Sequence, residues 1–435
     1  MGEKGVMMGR NLLVFKGIQT DPVIMRLFEL AATSGTEQET AAVELASLLV
    51  DRAERFGLTG RVLEEWIWHC LLGDVNAFSL YTENGGASGE ESSLFHAVVR
   101  DLETLRGTFL SAAEAMKAAG LEEYALRYVG GVPRADERPL PTQRAARLKS
   151  LCADPSLTDG SGTAAALRLA EEYRAYGCGI LAQYPMFRWT GTSFAGIDHY
   201  DTIRMDDLVG YTYQKESLIA NTESFLRGNE ANNVLLAGAA GTGKSSMIKA
   251  LANEYFDRGL RLLEVGKDQL PQLPAMLAAA AARGKRFIFF IDDLSFEDFE
   301  VDYKYIKSLL EGSVEKKPGN VLFYATSNRR HIIQQKWKDR HAEQYDQEVH
   351  GLEAMNEKLS LSQRFGLTLT FPVPSQKEYL AIVHHMAERA GIPMEDPVEF
   401  DKAAVRWSME QKGFSGRTAR QFILHCQQNQ DAKNS

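Results

Sequence analysis

The chain has 435 residues, of which 44% are hydrophobic and 25% charged, and its formal net charge is -9 at pH 7. This composition is typical of a soluble globular protein, and the length predicts two domains, one of them subdivided. The acidic balance lacks the electrostatic footprint of a non-specific DNA-binding protein, although it does not exclude nucleic acid. The four cysteines are scattered without a C-x-x-C pair, which predicts buried thiols in a reducing compartment and neither a zinc site nor a disulfide framework.

The start of the chain lacks the apolar core of a signal peptide. Val6 stands where a myristoylation signal has Ser or Thr. No stretch approaches the roughly 18 uninterrupted apolar residues that a membrane span requires. We therefore expect a cytoplasmic protein.

Residues 1–183 are predicted to form a helical domain. The segments with apolar residues at helical spacing are 22–32, 37–56, 60–72, 93–119 and 163–182. A stretch containing Pro and Arg, residues 132–147, is expected to be an exposed connection. Trp66, Trp68 and His69 lie in one helix and suggest a ligand pocket, but such aromatic residues more often belong to a core, and we interpret them as core. The region carries no evident chemistry, so by elimination its predicted role is partner recognition or assembly.

Residues 184–202 are predicted to be an extended linker. A compact turn follows at Leu208, Val209 and Gly210, and then a helix over 214–226. A glycine-containing apolar turn just before a nucleotide domain is suited to wrapping an adenine ring. The alternative is a simple turn at the start of a domain, and the turn by itself does not decide between the two.

The strongest motif is a phosphate loop of the form G-x-x-x-x-G-K-[ST]. A predicted strand, 233–237, leads into it and a predicted helix, 246–252, follows it. The glycines allow backbone N–H groups to point at phosphate oxygens, while Lys244 would reach the β- and γ-phosphates and Ser245 would ligate Mg²⁺. The alternative is a glycine-rich turn without a ligand. The residues predicted to cradle the phosphates are Gly238, Ala239, Ala240, Gly241, Thr242, Gly243, Lys244, Ser245 and Ser246.

A second strand-end signal supports a nucleotide site. The wholly apolar strand 286–291 ends in Asp292 and Asp293. An apolar strand with a carboxylate at its carboxyl end is how such folds hold Mg²⁺ beside a phosphate loop, so Asp292 is predicted to ligate the metal, directly or through water. Asp293 occupies the position of the general base that polarises the attacking water.

The next predicted strand, 320–325, is followed by Asn328, whose amide is a candidate for orienting the water and sensing the γ-phosphate. The alternative is an ordinary strand-end turn, because Ser and Asn favour turns. Farther along, Arg364 precedes the predicted strand 367–371. Three predicted helices follow, over 376–390, 401–411 and 417–428.

The order of these parts resembles the AAA+ ATPase module, and the resemblance covers roughly residues 203–428. The runs 207–210, 292–297 and 416–420 also resemble a bacterial AAA+ family catalogued only as a domain of unknown function. The implied fold is an α/β three-layer sandwich with a parallel sheet and a C-terminal helical lid, preceded by a separate all-α domain. The corresponding boundaries are 1–183 for the helical domain, 184–202 for the linker, 203–373 for the ATPase core and 374–435 for the lid.

The resemblance also implies roles for distant residues. Asn328 would be the sensor-one residue, and Arg364 the arginine finger that reaches the γ-phosphate held by a neighbouring subunit. Arg417 would be the sensor-two residue of the lid, with Arg420 as the alternative. The implied ligands are ATP and Mg²⁺, and the implied assembly is a homo-oligomeric ring or dimer. Arg329 and Arg330, just past Asn328, are less favoured candidates for the arginine finger, and for each arginine the alternative is a solvated surface charge.

Two departures from the AAA+ pattern matter. This chain has Asp-Asp where such modules have Asp-Glu. An Asp carboxylate is about 1.5 Å short of the position that a Glu carboxylate would reach, and a misplacement of ~1 Å costs on the order of a hundredfold in rate. Either the backbone compensates, Glu297 takes over as base, or hydrolysis is slow, and we favour slow hydrolysis. The segment 266–271 also lacks the aromatic pore residue of AAA+ unfoldases, which argues against polypeptide threading.

Three functional classes fit the sequence. The favoured one is an ATP-hydrolysing protein that remodels or assembles a protein partner recognised by the helical domain. The second is a nucleic-acid-associated loader or initiator, for which the basic residues between 329 and 340 are the only local feature and more often form a solvated face. The third is a nucleotide-dependent switch that binds ATP tightly and hydrolyses it poorly.

Overall fold

The computed structural model describes residues 12–86, 91–130, 142–153, 160–294, 317–328, 365–411 and 413–434. The chain divides into two compact units. The first contains Met1–Tyr184 and Arg283–Lys285, and the second contains Pro185–Ala282 and Arg286–Ser435. Among the helices described in these ranges, none is both long enough and apolar enough to cross a membrane.

The first unit is helical. Its described helices are α1 (Pro22–Ala32), α2 (Thr36–Phe56), α3 (Val62–Gly73), α4 (Ala77–Glu83), α5 (Ser93–Ala118), α6 (Glu122–Leu126), α7 (Thr142–Ala153) and α8 (Gly162–Tyr176). Apolar residues at helical spacing contribute to one shared core. The Asp21 carboxylate accepts hydrogen bonds from the N–H groups of Val23 and Ile24, which explains why α1 begins at Pro22.

Helix α7 differs from the sequence prediction of an exposed connection over 132–147. Leu148 and Leu151 are fully buried on one face, and Arg144 is almost fully buried with its Nη2 atom 3.0 Å from Nδ1 of His69. The prolines that precede Thr142 are typical of a loop, but α7 begins directly after the last of them. Helix α8 also ends earlier than predicted, because Gly177 adopts φ +79° after Tyr176.

The aromatic residues of α3 belong to the core, which confirms the interpretation from the sequence. Trp66 and Trp68 are buried, and the ring of His69 stacks on Trp66 with a centroid separation of 4.6 Å. Burial lowers the pKa of His69, and the positive charges of Arg144 and Arg52 lower it further. The imidazole is therefore held neutral inside the helical unit.

The second unit is organised around one seven-stranded sheet. Its strands are β1 (Met186–Trp189), β2 (Phe194–Gly196), β3 (Val234–Gly238), β4 (Leu260–Glu264), β5 (Arg286–Ile291), β6 (Val321–Ser327) and β7 (Leu367–Phe371). They lie in the order β2-β1-β4-β5-β6-β3-β7, and every pair is parallel except the β1–β2 hairpin. The near-continuous apolar runs of the central strands follow from burial on both faces of a parallel sheet.

Strand β1 lies in the stretch that the sequence predicted as a linker. It pairs in parallel with β4, placing Met186 opposite Leu262, and the ring of Phe194 in β2 stacks on Phe287 at 5.4 Å. The strand is short and its partner lies far downstream. The local sequence therefore does not predict the pairing of β1 with β4.

Helices cross over between the parallel strands. The three described helices are α9 (Thr212–Leu226), α10 (Lys244–Glu254) and α11 (Leu273–Ala281). Helix α10 leads from β3 to β4, and α11 leads from β4 to β5. These crossovers bring the carboxyl ends of the strands to one edge of the sheet, where ligands of open α/β folds bind.

Three helices follow the sheet and share their own core. They are α12 (Gln376–Arg389), α13 (Pro397–Glu410) and α14 (Gly416–Asn434). Tyr379, Val383 and Phe422 are among the buried residues of this cluster. Helix α13 begins four residues before the predicted position, because the Asp396 side chain caps it and Pro397 occupies its first turn.

Candidate active site

The phosphate loop connects β3 in the middle of the sheet to α10. Gly238, Gly241 and Gly243 have φ values of +154°, +78° and +88°, which residues with a Cβ rarely adopt. A Cβ on Gly238 would lie 2.1 Å from the carbonyl oxygen of Phe371 in β7. Glycine is therefore required there both by backbone conformation and by close packing.

Lys244 begins α10 and is almost fully buried. Its Nζ atom donates to the carbonyl oxygens of Gly238 (3.0 Å) and Ala239 (2.7 Å) and to Oδ1 of Asn328 (3.1 Å). Burial lowers the pKa of the ammonium, and the Asp292 and Asp293 carboxylates oppose that shift. The loop thus surrounds a cation that is held next to two strand tips.

Asp292 lies at the tip of β5 and contacts two neighbouring elements. Its Oδ1 atom accepts a hydrogen bond from Ser245 Oγ in α10 (2.7 Å) and another from Thr326 Oγ1 at the end of β6 (2.5 Å). The predicted metal-ligating pair, Ser245 and Asp292, is therefore in direct contact. Both side chains sit at the carboxyl edge of the sheet.

Asp293 leaves the strand in a left-handed conformation with φ +53°. Its N–H donates to Thr326 Oγ1 (2.9 Å), and its Oδ1 accepts a hydrogen bond from Asn328 Nδ2 (2.7 Å). Because Asn328 also accepts from Lys244, one amide connects the predicted base with the predicted phosphate-binding cation. Sequence reasoning assigned no role to Thr326, and the only signal for it was a hydroxyl residue two positions before Asn328.

The donors beside Ser245 fit Mg²⁺. This ion prefers oxygen ligands at 2.0–2.1 Å in octahedral geometry, in which two adjacent ligands lie about 2.9 Å apart. The 2.7 Å separation between Ser245 Oγ and Asp292 Oδ1 is close to that value. Both side chains are exposed to some degree, so phosphate oxygens and water have access to complete the coordination shell.

The turn that the sequence predicted to wrap an adenine ring lies beside the loop. A Cβ built on Gly243 would be 3.9 Å from Cδ2 of Leu208, and Val209 packs against the core of the three C-terminal helices. Gly210 has φ +81°. This turn is therefore in contact with both the loop and the C-terminal helices, and its role in binding a base remains a prediction.

The start of α14 also touches the loop. The N–H of Gly416 donates to the carbonyl oxygen of Gly241 (2.9 Å), and a Cβ on Gly241 would lie 3.4 Å from Cβ of Arg417. Arg417 and Arg420 are both exposed, one turn apart. The start of α14 thus brings the Cβ atom of Arg417 against the loop, and the sensor-two role of Arg417 or Arg420 remains a prediction.

Several predicted residues have no further structural account. Glu297, Arg364 and the basic residues between 329 and 340 lie outside the described residues. Ala240 is exposed and Ser246 half-buried in the first turn of α10. Their roles remain predictions.

The strand order, the phosphate loop after the central strand, the acidic tip of β5 and the three C-terminal helices define an AAA+ module. The chain belongs to the family described as protein of unknown function (DUF815), whose model matches residues 182–430. This confirms the resemblance found in the sequence. It also confirms the fold class, an α/β module that is followed in the sequence by C-terminal helices and preceded by a helical N-terminal region.

Curated relatives match a short part of the chain. The replication factor C large subunit of Methanococcus vannielii is 33% identical over 106 residues, which is 22% of this chain and 21% of that protein. The same subunit of Methanococcus maripaludis is 29% identical over 102 residues, again 22% and 21%. The chain thus spans about a fifth of the length of these relatives.

A solved structure covers more of the chain at lower similarity. The Thermotoga maritima RuvB Holliday junction branch migration motor is 16% identical, with a TM-score of 0.31, over 52% of this chain and 71% of that chain. Neither value is high enough to carry over a property of that motor.

Proposed function

We propose that this chain binds ATP with Mg²⁺, hydrolyses it slowly, and uses the cycle to remodel or assemble a protein partner. The observation that best supports this is the continuous hydrogen-bonded path from Ser245 through Asp292 and Thr326 to Asp293, Asn328 and Lys244. That path contains a metal-ligating pair, a candidate base, a water-orienting amide and a phosphate-binding cation.

Phosphate binding, metal binding and activation of the water are assigned to different residues of the site. Lys244 and the N–H groups of the loop bind the phosphates, while Ser245 and Asp292 hold Mg²⁺, which neutralises phosphate charge when bound. The Asp293 carboxylate takes a proton from the attacking water, and Asn328 orients that water. The water oxygen forms a bond to the γ-phosphorus as the bond to the β–γ bridging oxygen breaks, and ADP leaves with the electron pair.

Residues beyond the described site complete the proposal. Arg364 would reach the γ-phosphate of a neighbouring copy, which makes the functional form a ring or dimer. Mixing an Arg364→Ala protein with an Asp292→Ala protein tests this, because one intact shared site would form between the two variants. No recovery of turnover in the mixture would mean that each site is completed within one chain.

Glu297 is the alternative to Asp293 as the base. Loss of turnover in Asp293→Ala together with normal turnover in Glu297→Ala would assign the role to Asp293. The reverse pattern would assign it to Glu297.

Calorimetry on Lys244→Ala tests nucleotide binding. We expect this variant to lose ATP binding, because Lys244 is the only basic residue within the loop sequence 238–246. Lys249→Ala, in the same helix but outside the loop, is the matched control. Retained binding by Lys244→Ala would contradict the assignment of the loop.

A role with nucleic acid is the second candidate, and the short similarity to replication factor C large subunits favours it. The steady-state ATPase rate with and without DNA separates the candidates. Stimulation by DNA supports the loader type, and near-zero turnover with tight binding supports a switch. Capture of cellular proteins on an ATP-loaded Asp293→Ala bait would identify a protein partner.

A further inference from the structure

The turn after β5 has an unusual backbone. Asp293 and Tyr211 are the two residues other than glycine with positive φ in the described part of the chain. The left-handed conformation brings Cβ close to the following carbonyl oxygen, which disfavours residues other than glycine, although Asp adopts it more readily than most. Such outliers concentrate at functional sites, and this one is at the predicted general base.

Thr326 supplies most of the contacts that hold the turn. Its hydroxyl donates to Asp292 Oδ1 (2.5 Å) and accepts from the N–H of Asp293 (2.9 Å). Its carbonyl oxygen accepts from the N–H of Leu294 (2.7 Å). One residue of β6 is therefore bonded to three consecutive residues of the turn.

The hydroxyl of Thr326 has little freedom to do anything else. The residue is 2% exposed, and a Thr hydroxyl has a single proton to donate. That proton goes to Asp292, so the oxygen lone pairs face the Asp293 amide. The Thr326 hydroxyl oxygen therefore fixes both the carboxylate of Asp292, the predicted metal ligand, and the backbone N–H of Asp293, the predicted base.

We propose that Thr326 is a positioning residue that holds Asp293 in the left-handed conformation, so that the backbone compensates for a side chain one methylene shorter than Glu. This rests on the proposed hydrolysis of ATP, and it replaces the slow rate expected of an uncompensated Asp with a rate that depends on the left-handed turn. In an extended strand, successive side chains alternate between faces, whereas the left-handed turn redirects the Asp293 carboxylate toward Asn328. Asn328 in turn contacts the Lys244 ammonium, where the γ-phosphate is expected.

Lengthening the side chain at position 293 by one methylene tests this role. Asp293→Glu restores the Asp-Glu pair typical of AAA+ modules, yet it should lower turnover, because the added methylene moves the carboxylate by about 1.5 Å from a backbone adjusted to Asp. A misplacement of ~1 Å costs on the order of a hundredfold in rate. If instead the shorter side chain merely weakens the site, Asp293→Glu will raise turnover, and the proposal is wrong.

The main experiment compares Thr326→Val with Thr326→Ser. Val has nearly the shape of Thr without the hydroxyl, and Ser keeps the hydroxyl. We expect Thr326→Val to lower kcat by about 10- to 100-fold while the affinity for ATP without Mg²⁺ changes less than about twofold, because Lys244 keeps its bonds to the Gly238 and Ala239 carbonyl oxygens. Thr326→Ser should recover most of the lost kcat.

Residue-resolved amide hydrogen exchange gives a readout that is independent of activity. Thr326→Val should speed exchange at the Asp293 amide by about tenfold or more, whereas the Leu294 amide, bonded to a backbone carbonyl, should keep its rate. Equal exchange at Asp293 in Thr326→Val and the unmodified chain would overturn the proposal.

The two proposals fail in different ways. Absence of ATP turnover in the unmodified chain would refute the proposed hydrolysis, while the exchange measurement would still decide whether Thr326 holds the turn. Normal kcat in Thr326→Val, in a chain that hydrolyses ATP, would refute the role of Thr326 alone.

Discussion

In the first unit, the buried carboxylate of Glu83 accepts hydrogen bonds from Arg283, Gly284 and Cys178, whereas in the second unit the carboxylates of Asp292 and Asp293 are exposed at a strand tip. A buried charge is held by partners within the fold, and removing them leaves it uncompensated. An exposed carboxylate costs the fold little and is accessible to a metal or a phosphate-bound water. Substitutions of acids in the two units should therefore affect different properties.

The largest expected effect is at the strand tip. Asp292→Ala should reduce turnover by about 10²- to 10³-fold, because it removes a metal-ligating carboxylate from the site of developing charge. Its melting temperature should fall by only about 2–4 °C, because the lost carboxylate is exposed and the cost comes from the buried Thr326 hydroxyl, which loses its acceptor. Asp257→Ala, another exposed acid of the same unit, is the control. Unfolding of Asp292→Ala would break the contrast between the units.

The buried pair in the first unit should show the opposite pattern. Burial alone would raise the pKa of Glu83, but the hydrogen bonds and charge of Arg283 and the hydrogen bonds from Cys178 outweigh it, so that this pKa is lowered. Glu83→Ala should destabilise the chain by about 3 kcal/mol, measured by denaturant unfolding, because it removes the carboxylate that neutralises the half-buried Arg283 guanidinium. Glu83→Gln keeps some of the acceptors and should lose less. Equal stability of Glu83→Ala and the unmodified chain would contradict this account.

Glu65 in α3 should make stability depend on pH. Burial raises its pKa to about 7 from 4.5, and Lys149 opposes the shift. Between these values the unfolded carboxyl ionises while the folded one keeps its proton, so stability is complete below about pH 4.5, falls as pH rises, and reaches its lowest level above pH 7.

Thermal melts of Glu65→Gln should therefore show a weaker fall with pH. At pH 8 we expect a melting temperature about 2–4 °C higher than that of the unmodified chain, which corresponds to ~1 kcal/mol after allowance for solvent screening. Glu37→Gln, an exposed acid on α2, should leave the pH profile unchanged. A parallel profile for Glu65→Gln would assign the pH dependence to other groups.

The smallest effect is expected at an exposed pair near the site. Arg389 in α12 forms an ion pair with Asp207, just before the turn that contains Leu208. Because the Arg389 side chain is 56% exposed, Arg389→Gln should cost less than about 1 kcal/mol in unfolding experiments. Arg389→Lys should behave like the unmodified chain. A larger loss would show that exposed charges near the site also carry stability.

Much of the second unit could be predicted from local sequence. The phosphate loop, the acidic strand end and Asn328 each follow an apolar strand, and parallel strands bring such ends to one edge whatever the connections between them. The strand β1 could not be predicted, because its identity depends on a partner far along the chain. Helix α7 was obscured by the prolines that precede it.

The details of the site lay beyond a sequence argument for a different reason. Whether Asp-Asp can replace Asp-Glu depends on the backbone conformation at Asp293, and nothing in the local sequence specifies a left-handed Asp. The contact of Thr326 with both acids follows from the pairing of β5 with β6. The sequence identifies Asp292 and Asp293 as candidate functional residues, and the strand pairing and backbone conformation determine the orientation of their carboxylates.

The hydrogen bond from Gly416 to Gly241 joins the first residue of α14 to the middle of the phosphate loop. A rotation of the three C-terminal helices away from the sheet has to break this bond or pull the loop with it. The two segments, more than 170 residues apart in the sequence, are thus coupled, and while the bond lasts the mobility of either one limits the mobility of the other.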